Sequence, residues 1–181
     1  MALGVNDFKQ KLAGGGARAN LFQCFITFPG YSEGDTNETS FLCKTAQLPA
    51  STVGSFIVNF RGRELKMASE RTFEPWTVTI LNDTNFNIRN AMERWSNGIN
   101  GHALNTGLTN PEDYQTDITV NQLDRDESII KSVVLRGAFP ESVGPIELSY
   151  DTRGEIETFD VTFAYQWWEG VATGRSKATT S

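Results

Sequence analysis

The chain has 181 residues, with 22 acidic side chains against 16 basic ones, a formal net charge of −6, and 39% hydrophobic residues. That length fits one domain with a sizeable core, and the composition is neither disordered nor fibrous. The acidic balance opposes tight nucleic-acid binding, which needs Lys and Arg to displace counterions from phosphates. One His and two Cys leave little material for a metal site or a catalytic triad.

Residues 6–13 read as two helical turns capped by Asn6, and Gly14, Gly15 and Gly16 end them and supply a flexible joint. Residues 1–16 therefore read as an arm. An acid and two lysines stand where a secretory segment would be apolar, so the chain is expected to fold in a cytoplasm. No apolar run approaches the ~18 residues of a membrane helix, and no membrane insertion is expected. The glycine run has no preceding strand and no following Lys-Ser/Thr, so it is not a phosphate loop.

Strand patterns begin at Leu21. Residues 21–28 form the first, stopped by Pro29-Gly30. Residues 31–37 read as a polar loop, and 39–48 as a second strand stopped by Pro49. Cys24 and Cys43 lie in apolar surroundings and read as buried, reduced thiols. Phe56, Val58 and Phe60 alternate with Ile57 and Asn59; Arg61-Gly62-Arg63 turns or bulges the chain, and 64–67 returns. This hairpin has few evident core partners on its Arg-bearing side. Trp76, Val78 and Ile80 alternate with Thr77 and Thr79 as a half-buried strand.

One amphipathic helix follows. Asp83 or Thr84 caps it, Ile88, Ala91, Met92 and Trp95 share one face, and Asn97-Gly98 ends it. Residues 99–114 read as a loop. Strands are then expected at 118–124, 129–136 and 146–150, with turns at 125–127 and 151–154. Residues 156–168 give a long alternation, with Phe159, Val161, Phe163, Tyr165 and Trp167 on one face. Residues 170–181 are small and polar and read as a tail. Amphipathic strands must bury one face, so a closed or sandwiched antiparallel body with one packed helix is expected.

Little in the sequence suggests catalysis. His102 stands alone in a Gly/Asn loop, and no G-x-S-x-G occurs. Glu155 and Glu157 would share a strand face, as a glycosidase pair could, but 22 acids produce such pairs by chance. Asp124, Asp126 and Glu127 lack the glycine and distal Glu of a calcium loop. The basic cluster of Arg61, Arg63, Lys66 and Arg71 is interrupted by Glu64 and Glu70, which fits a solvated or partner-facing hairpin better than a phosphate groove. No cofactor is expected.

Several blocks, in order, carry a resemblance: Arg18-Ala-Asn-Leu-Phe-Gln23, Cys43-Lys-Thr-Ala-Gln-Leu-Pro-Ala50, Asn59-Phe-Arg-Gly-Arg-Glu-Leu-Lys-Met-Ala68, Arg71-Thr-Phe-Glu-Pro-Trp-Thr-Val78 and Leu81-Asn-Asp83. They continue with Leu135-Arg-Gly137, Pro140, Val143-Gly144, Glu155-Ile-Glu-Thr-Phe-Asp-Val-Thr162 and Trp168-Glu169. Over residues 17–169 the chain resembles the tail tube proteins of contractile-tailed phages. Residues 31–38, 98–113 and the segment after Glu169 depart from the family pattern.

The resemblance implies a mainly β (α+β) fold: two packed antiparallel sheets in a sandwich or barrel-like body, one flanking α-helix and a protruding β-hairpin that contacts the next ring. It also implies hexameric rings stacked into a tube, with tail sheath, baseplate and tail terminator proteins as partners. The genome would pass through without specific binding, and the subunit would reside in the virion tail after a period in the host cytoplasm. Phe56, Val58, Phe60, Arg61, Arg63, Leu65 and Lys66 are the expected inter-subunit residues. Glu157 and Asp160 are candidate lumen-facing acids, and the net negative charge suits a channel that DNA crosses without sticking. The alternatives are the tube of a type VI secretion system or tailocin and, from another class, a β-sandwich glycan-binding module or glycosidase.

Overall fold

The computed structural model describes residues 4–11 and 16–172. Helix α1 spans Val5–Lys11. Asn6 lies inside it and is not its cap: the backbone amide of Gly4 donates to Asp7 Oδ2 at 3.2 Å, so the first turn closes earlier than expected. Gly14 and Gly15 of the expected joint, and residues 173–181 of the expected tail, lie outside the described residues.

Strand β1 covers Phe22–Ile26. Helix α2, Thr36–Leu42, then occupies much of the stretch whose composition suggested a strand. The side chain of Asp35 decides the matter, accepting from the amides of Asn37 (2.8 Å) and Glu38 (3.4 Å). That N-cap satisfies two donors that a strand would need to pair elsewhere. Only Cys43–Thr45 remains extended, as β2. Strands β3 (Thr52–Phe60) and β4 (Arg63–Thr72) form the hairpin, longer than expected. Strand β5, Trp76–Leu81, buries Trp76, Val78 and Ile80 as its alternation requires.

Helix α3 spans Asn87–Ile99 and buries the four expected residues, Ile88, Ala91, Met92 and Trp95. Its ends differ from expectation. Phe86 takes the N-cap position at φ 56° without a side-chain cap, while Asp83 Oδ2 accepts from the amides of Asn85 and Asn87 one turn earlier. Gly98 does not end the helix. It stands where a Cβ would collide with the Tyr31 ring, whose hydroxyl donates to the carbonyl of Trp95 at 3.3 Å. Helix α4 (Pro111–Tyr114), β6 (Thr116–Leu123), β7 (Ile129–Val143), β8 (Thr158–Ala164) and β9 (Trp167–Val171) complete the chain.

Among the described residues seven strands form one antiparallel sheet in the order β1-β6-β7-β8-β5-β2, with β9 also paired to β7. The long β7 makes a single sheet into two layers. Its first part lies between β6 and β9, and its second part, Phe139 to Val143, pairs with β8. Between them Arg136 and Gly137 face Asp117 across a bulge, with Gly137 at φ 63°, a conformation that glycine adopts without strain. The sheet folds over there, and Ile26, Ile80, Ile118, Leu135, Phe159 and Phe163 meet inside. Trp95 of α3 closes the core, with ring centroids 5.8 Å from Phe28 and 5.9 Å from Phe163.

Two strand expectations fail for reasons of pairing. Residues 146–150 form no strand, because β7 runs on through Pro140 to Val143 and already occupies the place beside β8. Trp167 leaves the face of Phe159, Val161, Phe163 and Tyr165. The alternation inverts at the Tyr165-Gln166 corner, opposite the Gly137 bulge, so Trp168 packs toward the core and Trp167 is exposed.

Gly137→Ala is expected to lower stability by about 1–3 kcal/mol, the range for strained backbone. Its Cβ would sit 3.0 Å from Gln166 Cγ and 3.1 Å from Gln115 Oε1. Urea unfolding should show a lower midpoint with an unchanged slope. Gly154→Ala, at φ 78° with open space around it, should cost less.

Candidate assembly surface

The β3–β4 hairpin is a two-stranded sheet separate from the body. Its turn is the residue pair Arg61-Gly62, with φ of 48° and 79°. Positive φ at both positions marks a type I′ turn, whose twist matches that of the flanking strands. The pairing Phe60↔Arg63, Val58↔Leu65 and Phe56↔Met67 follows. Cross-strand partners share a face, so Phe56, Val58, Phe60, Leu65 and Met67 form one apolar surface with Arg63 at its tip. Ile57↔Lys66 and Asn59↔Glu64 lie on the other side.

The apolar surface is uncovered: Phe56 is 48% exposed, Phe60 60% and Leu65 51%. Every residue of β4 is exposed. A lone two-stranded hairpin is marginal in water, so this one depends on its anchor and on whatever covers it. The anchor is visible. Trp76 Nε1 donates to the carbonyl of Gln47 at 2.6 Å and Trp168 Nε1 to that of Ala50 at 3.2 Å, pinning the entry to β3. Phe73 packs on Tyr165 just beyond the exit, with centroids 5.9 Å apart.

The structure thus brings five of the seven sequence-derived hairpin residues to one face. Lys66 lies on the opposite face. Arg61 sits in the turn, its guanidinium carbon 5.3 Å from the Phe60 ring centroid in cation–π geometry. Met67 belongs to the surface although alternation on β3 alone did not select it; the register across the turn does.

The two candidate acids part company. Asp160 points outward from β8 and accepts a hydrogen bond from Thr79 Oγ1 at 2.7 Å, beside the Thr77–Thr162 hydroxyl pair at 3.0 Å. Glu157 precedes β8, is half-buried, and accepts from Asn82 Nδ2 at 3.0 Å. Both contribute to an open cleft of about 800 Å³ under residues 144–157, where Glu147 and Glu155 also lie.

A charged cluster escaped sequence reasoning. On three adjacent strands, Arg136 Nε donates to Glu169 Oε1 at 2.7 Å and Nη1 to Asp117 Oδ2 at 2.5 Å. Hydrogen bonding to Glu169 and then Asp117 raises the guanidinium pKa further. The Arg-Gly pair of β7 was visible, but its acidic partners are 19 and 33 residues away. His102 is exposed in its loop. Asp124 and Asp126 bond the amides of Arg125 and Ser128 within their own turn. Among the described residues no three His, Cys, Asp or Glu side chains gather as metal ligands, and no helix is long and apolar enough to cross a membrane.

Residues 17–170 match the family described as phage tail tube protein. The chain belongs to that family. This tail tube subunit is 34% identical over 154 residues to the tail tube protein gp19 of Enterobacteria phage T4, a match covering 84% of this chain and 91% of the relative. Its fold is shared with a chain of the anti-feeding prophage baseplate, at TM-score 0.60, 10% identity and coverage of 86% and 95%. It is also shared with a chain of an extracellular contractile injection system, the PVC sheath–tube complex, at TM-score 0.57, 13% identity and coverage of 91% and 97%. The protein is a structural tail tube component of the contractile-tail type, and its relatives imply a role in the virion tail that is not enzymatic.

Proposed function

We propose that the subunit forms hexameric rings that stack through the β3–β4 hairpin into the inner conduit of a contractile tail. The observation that carries this reading is the uncovered apolar face of Phe56, Val58, Phe60, Leu65 and Met67 on an element held away from the core. Burying it against a neighbouring ring removes the cost of leaving it in water, with Arg61 and Arg63 at the tip of the contact. Head-to-tail contacts close into rings when the rotation permits. The tube would grow from a baseplate, lie inside a sheath and end at a terminator. Before assembly the subunit would reside in the host cytoplasm.

In this reading the genome traverses the bore without specific binding and no reaction is catalysed. Asp160 and Glu157 are the candidate acids of the lumen, where fixed negative charge repels phosphates. Residues 17–169 would form the tube domain, residues 1–16 an assembly arm, and residues 170–181 a C-terminal tail. Electron micrographs of concentrated, purified protein should show rings or tubes of uniform width. A chain that stays monomeric even with tail baseplates added would remove the proposal.

The arm offers a separate prediction. Helix α1 buries no residue, and Val5 and Phe8 are largely exposed. Deleting residues 1–13 should leave the unfolding midpoint of the monomer unchanged and raise the concentration needed for assembly about tenfold, the loss of roughly one exposed apolar anchor. Sedimentation of both forms across a concentration series measures it.

A further inference from the structure

The hairpin leaves the body at one end of strands β5 and β8, and the open cleft lies at the other. Trp76 pairs with Phe163 at the hairpin end, where Trp76 holds the Gln47 carbonyl and Phe73 packs on Tyr165. Leu81 pairs with Thr158 at the cleft end. The strand between them, β5, separates the two features by about 20 Å. Strand β3 is long enough to carry the hairpin tip about 30 Å from its anchor.

The segment over the cleft is tied to the body at both ends. The Gly144 amide donates to the Asp160 carbonyl at 2.7 Å, and the Asn82 amide to the Glu157 carbonyl at 2.9 Å. From helix α3, Arg89 donates to the Gly144 carbonyl, and its guanidinium carbon lies 5.2 Å from the Phe159 ring centroid. Between these ties Leu148, Tyr150 and Ile156 turn most or all of their surface to solvent. The cleft of about 800 Å³ falls in the roughly 300–1,000 Å³ range of ligand pockets, room for a few side chains.

The two ends also carry opposite charge. Between Gly144 and Asp160 stand five acids, Glu147, Asp151, Glu155, Glu157 and Asp160, against Arg153 alone. Asn82 and Thr79 already engage Glu157 and Asp160. Glu147 and Glu155 are exposed and have no side-chain partner among the described residues. On the hairpin, Arg61, Arg63, Lys66 and Arg71 outnumber Glu64 and Glu70, and none of these bases is in an ion pair among the described residues.

We propose that the cleft beneath residues 144–157 is the socket for the hairpin tip of a second copy of this chain in the next ring. This rests on the reading that the hairpin stacks rings, and it names the surface that receives it. Glu147 and Glu155 face Arg61 and Arg63, while Leu148, Tyr150 and Ile156 cover the apolar surface around Phe60 and Leu65. Plug and socket sit at opposite ends of one subunit, so the contact repeats head to tail without using either surface twice. The apolar residues supply most of the affinity, and the charges fix how the tip seats.

The full chain with the photo-reactive residue p-benzoylphenylalanine in place of Arg63, assembled and then irradiated, tests this by peptide mapping. The expected links join chains, running from the hairpin tip to residues 144–160. Links to another part of the neighbouring chain would overturn the socket and leave hairpin stacking standing. Tubes without any link between chains would remove both. A second measurement needs no such label. By sedimentation, Glu147→Arg with Glu155→Arg should raise the concentration needed for assembly about tenfold. Adding Arg61→Glu and Arg63→Glu to that chain should return it to within about twofold of wild type. A double variant that assembles at the wild-type concentration, or a quadruple variant no better than the double, would overturn the pairing.

Discussion

Val58→Asp combined with Leu65→Asp is expected to leave the isolated subunit folded and to abolish the stacking of rings. The two residues are cross-strand partners at the centre of the uncovered hairpin face, and neither belongs to the core cluster. Burying each stabilises a contact by about 1.5–3 kcal/mol. Losing both weakens each ring-to-ring contact roughly a hundredfold to ten-thousandfold, before the cost of burying two unpaired carboxylates. Micrographs should show separate rings or monomers, while the unfolding midpoint stays at the wild-type value. Normal tubes from the double variant would exclude the hairpin face as the stacking surface. Arg61→Glu with Arg63→Glu should act less strongly and in a salt-dependent way, because exposed charges contribute only about 0–1 kcal/mol. In the proposed contact the apolar stripe would outweigh the basic residues at its tip.

Trp95→Ala should have the largest effect on the unassembled subunit. The side chain is fully buried against Phe28 and Phe163, and its Nε1 donates to the carbonyl of Tyr114 at 2.8 Å. Truncation opens a cavity and leaves that carbonyl without its donor, a loss of about 3–5 kcal/mol. Against a total of about 5–15 kcal/mol, that is a large share, and Tm should fall by about 6–20 °C. Trp167→Ala removes a side chain that is 52% exposed and should move Tm little. Calorimetry of the three proteins decides it: equal shifts for both variants would contradict the placement of Trp95 as the keystone between helix and sheet.

The parts of the fold that were legible are those where one residue pattern had one place to go. Trp76, Val78 and Ile80 alternate on a strand with core on one side, and Ile88 to Trp95 repeat at helical spacing over a single apolar bed. The residues after Asp35 were misread because a side-chain cap outweighed a run of β-compatible residues. Residues 146–150 were misread because pairing is competitive, and Val143 had already taken the edge. The face of Trp167 could not be read from alternation, since a corner inverted it. The hairpin surface was half-legible in the same way: β3 showed its own stripe, but assigning Met67 to it and Lys66 away from it requires the register that Arg61-Gly62 sets. The Arg136 cluster is a consequence of topology, and nothing local announces it.

The exposed hairpin also bears on the life of the subunit before a tube exists. A long uncovered strand is a template on which any copy could pair, and such an edge invites runaway polymerisation at the moment of synthesis. Strand β4 interleaves its apolar residues with Arg63, Glu64, Lys66, Glu70 and Arg71, all exposed. A mispaired neighbour would have to desolvate those charges without ordered partners, while a correctly oriented ring can leave them wet at the rim. Gatekeeping of this kind opposes off-register pairing of the exposed edge before the subunit is assembled.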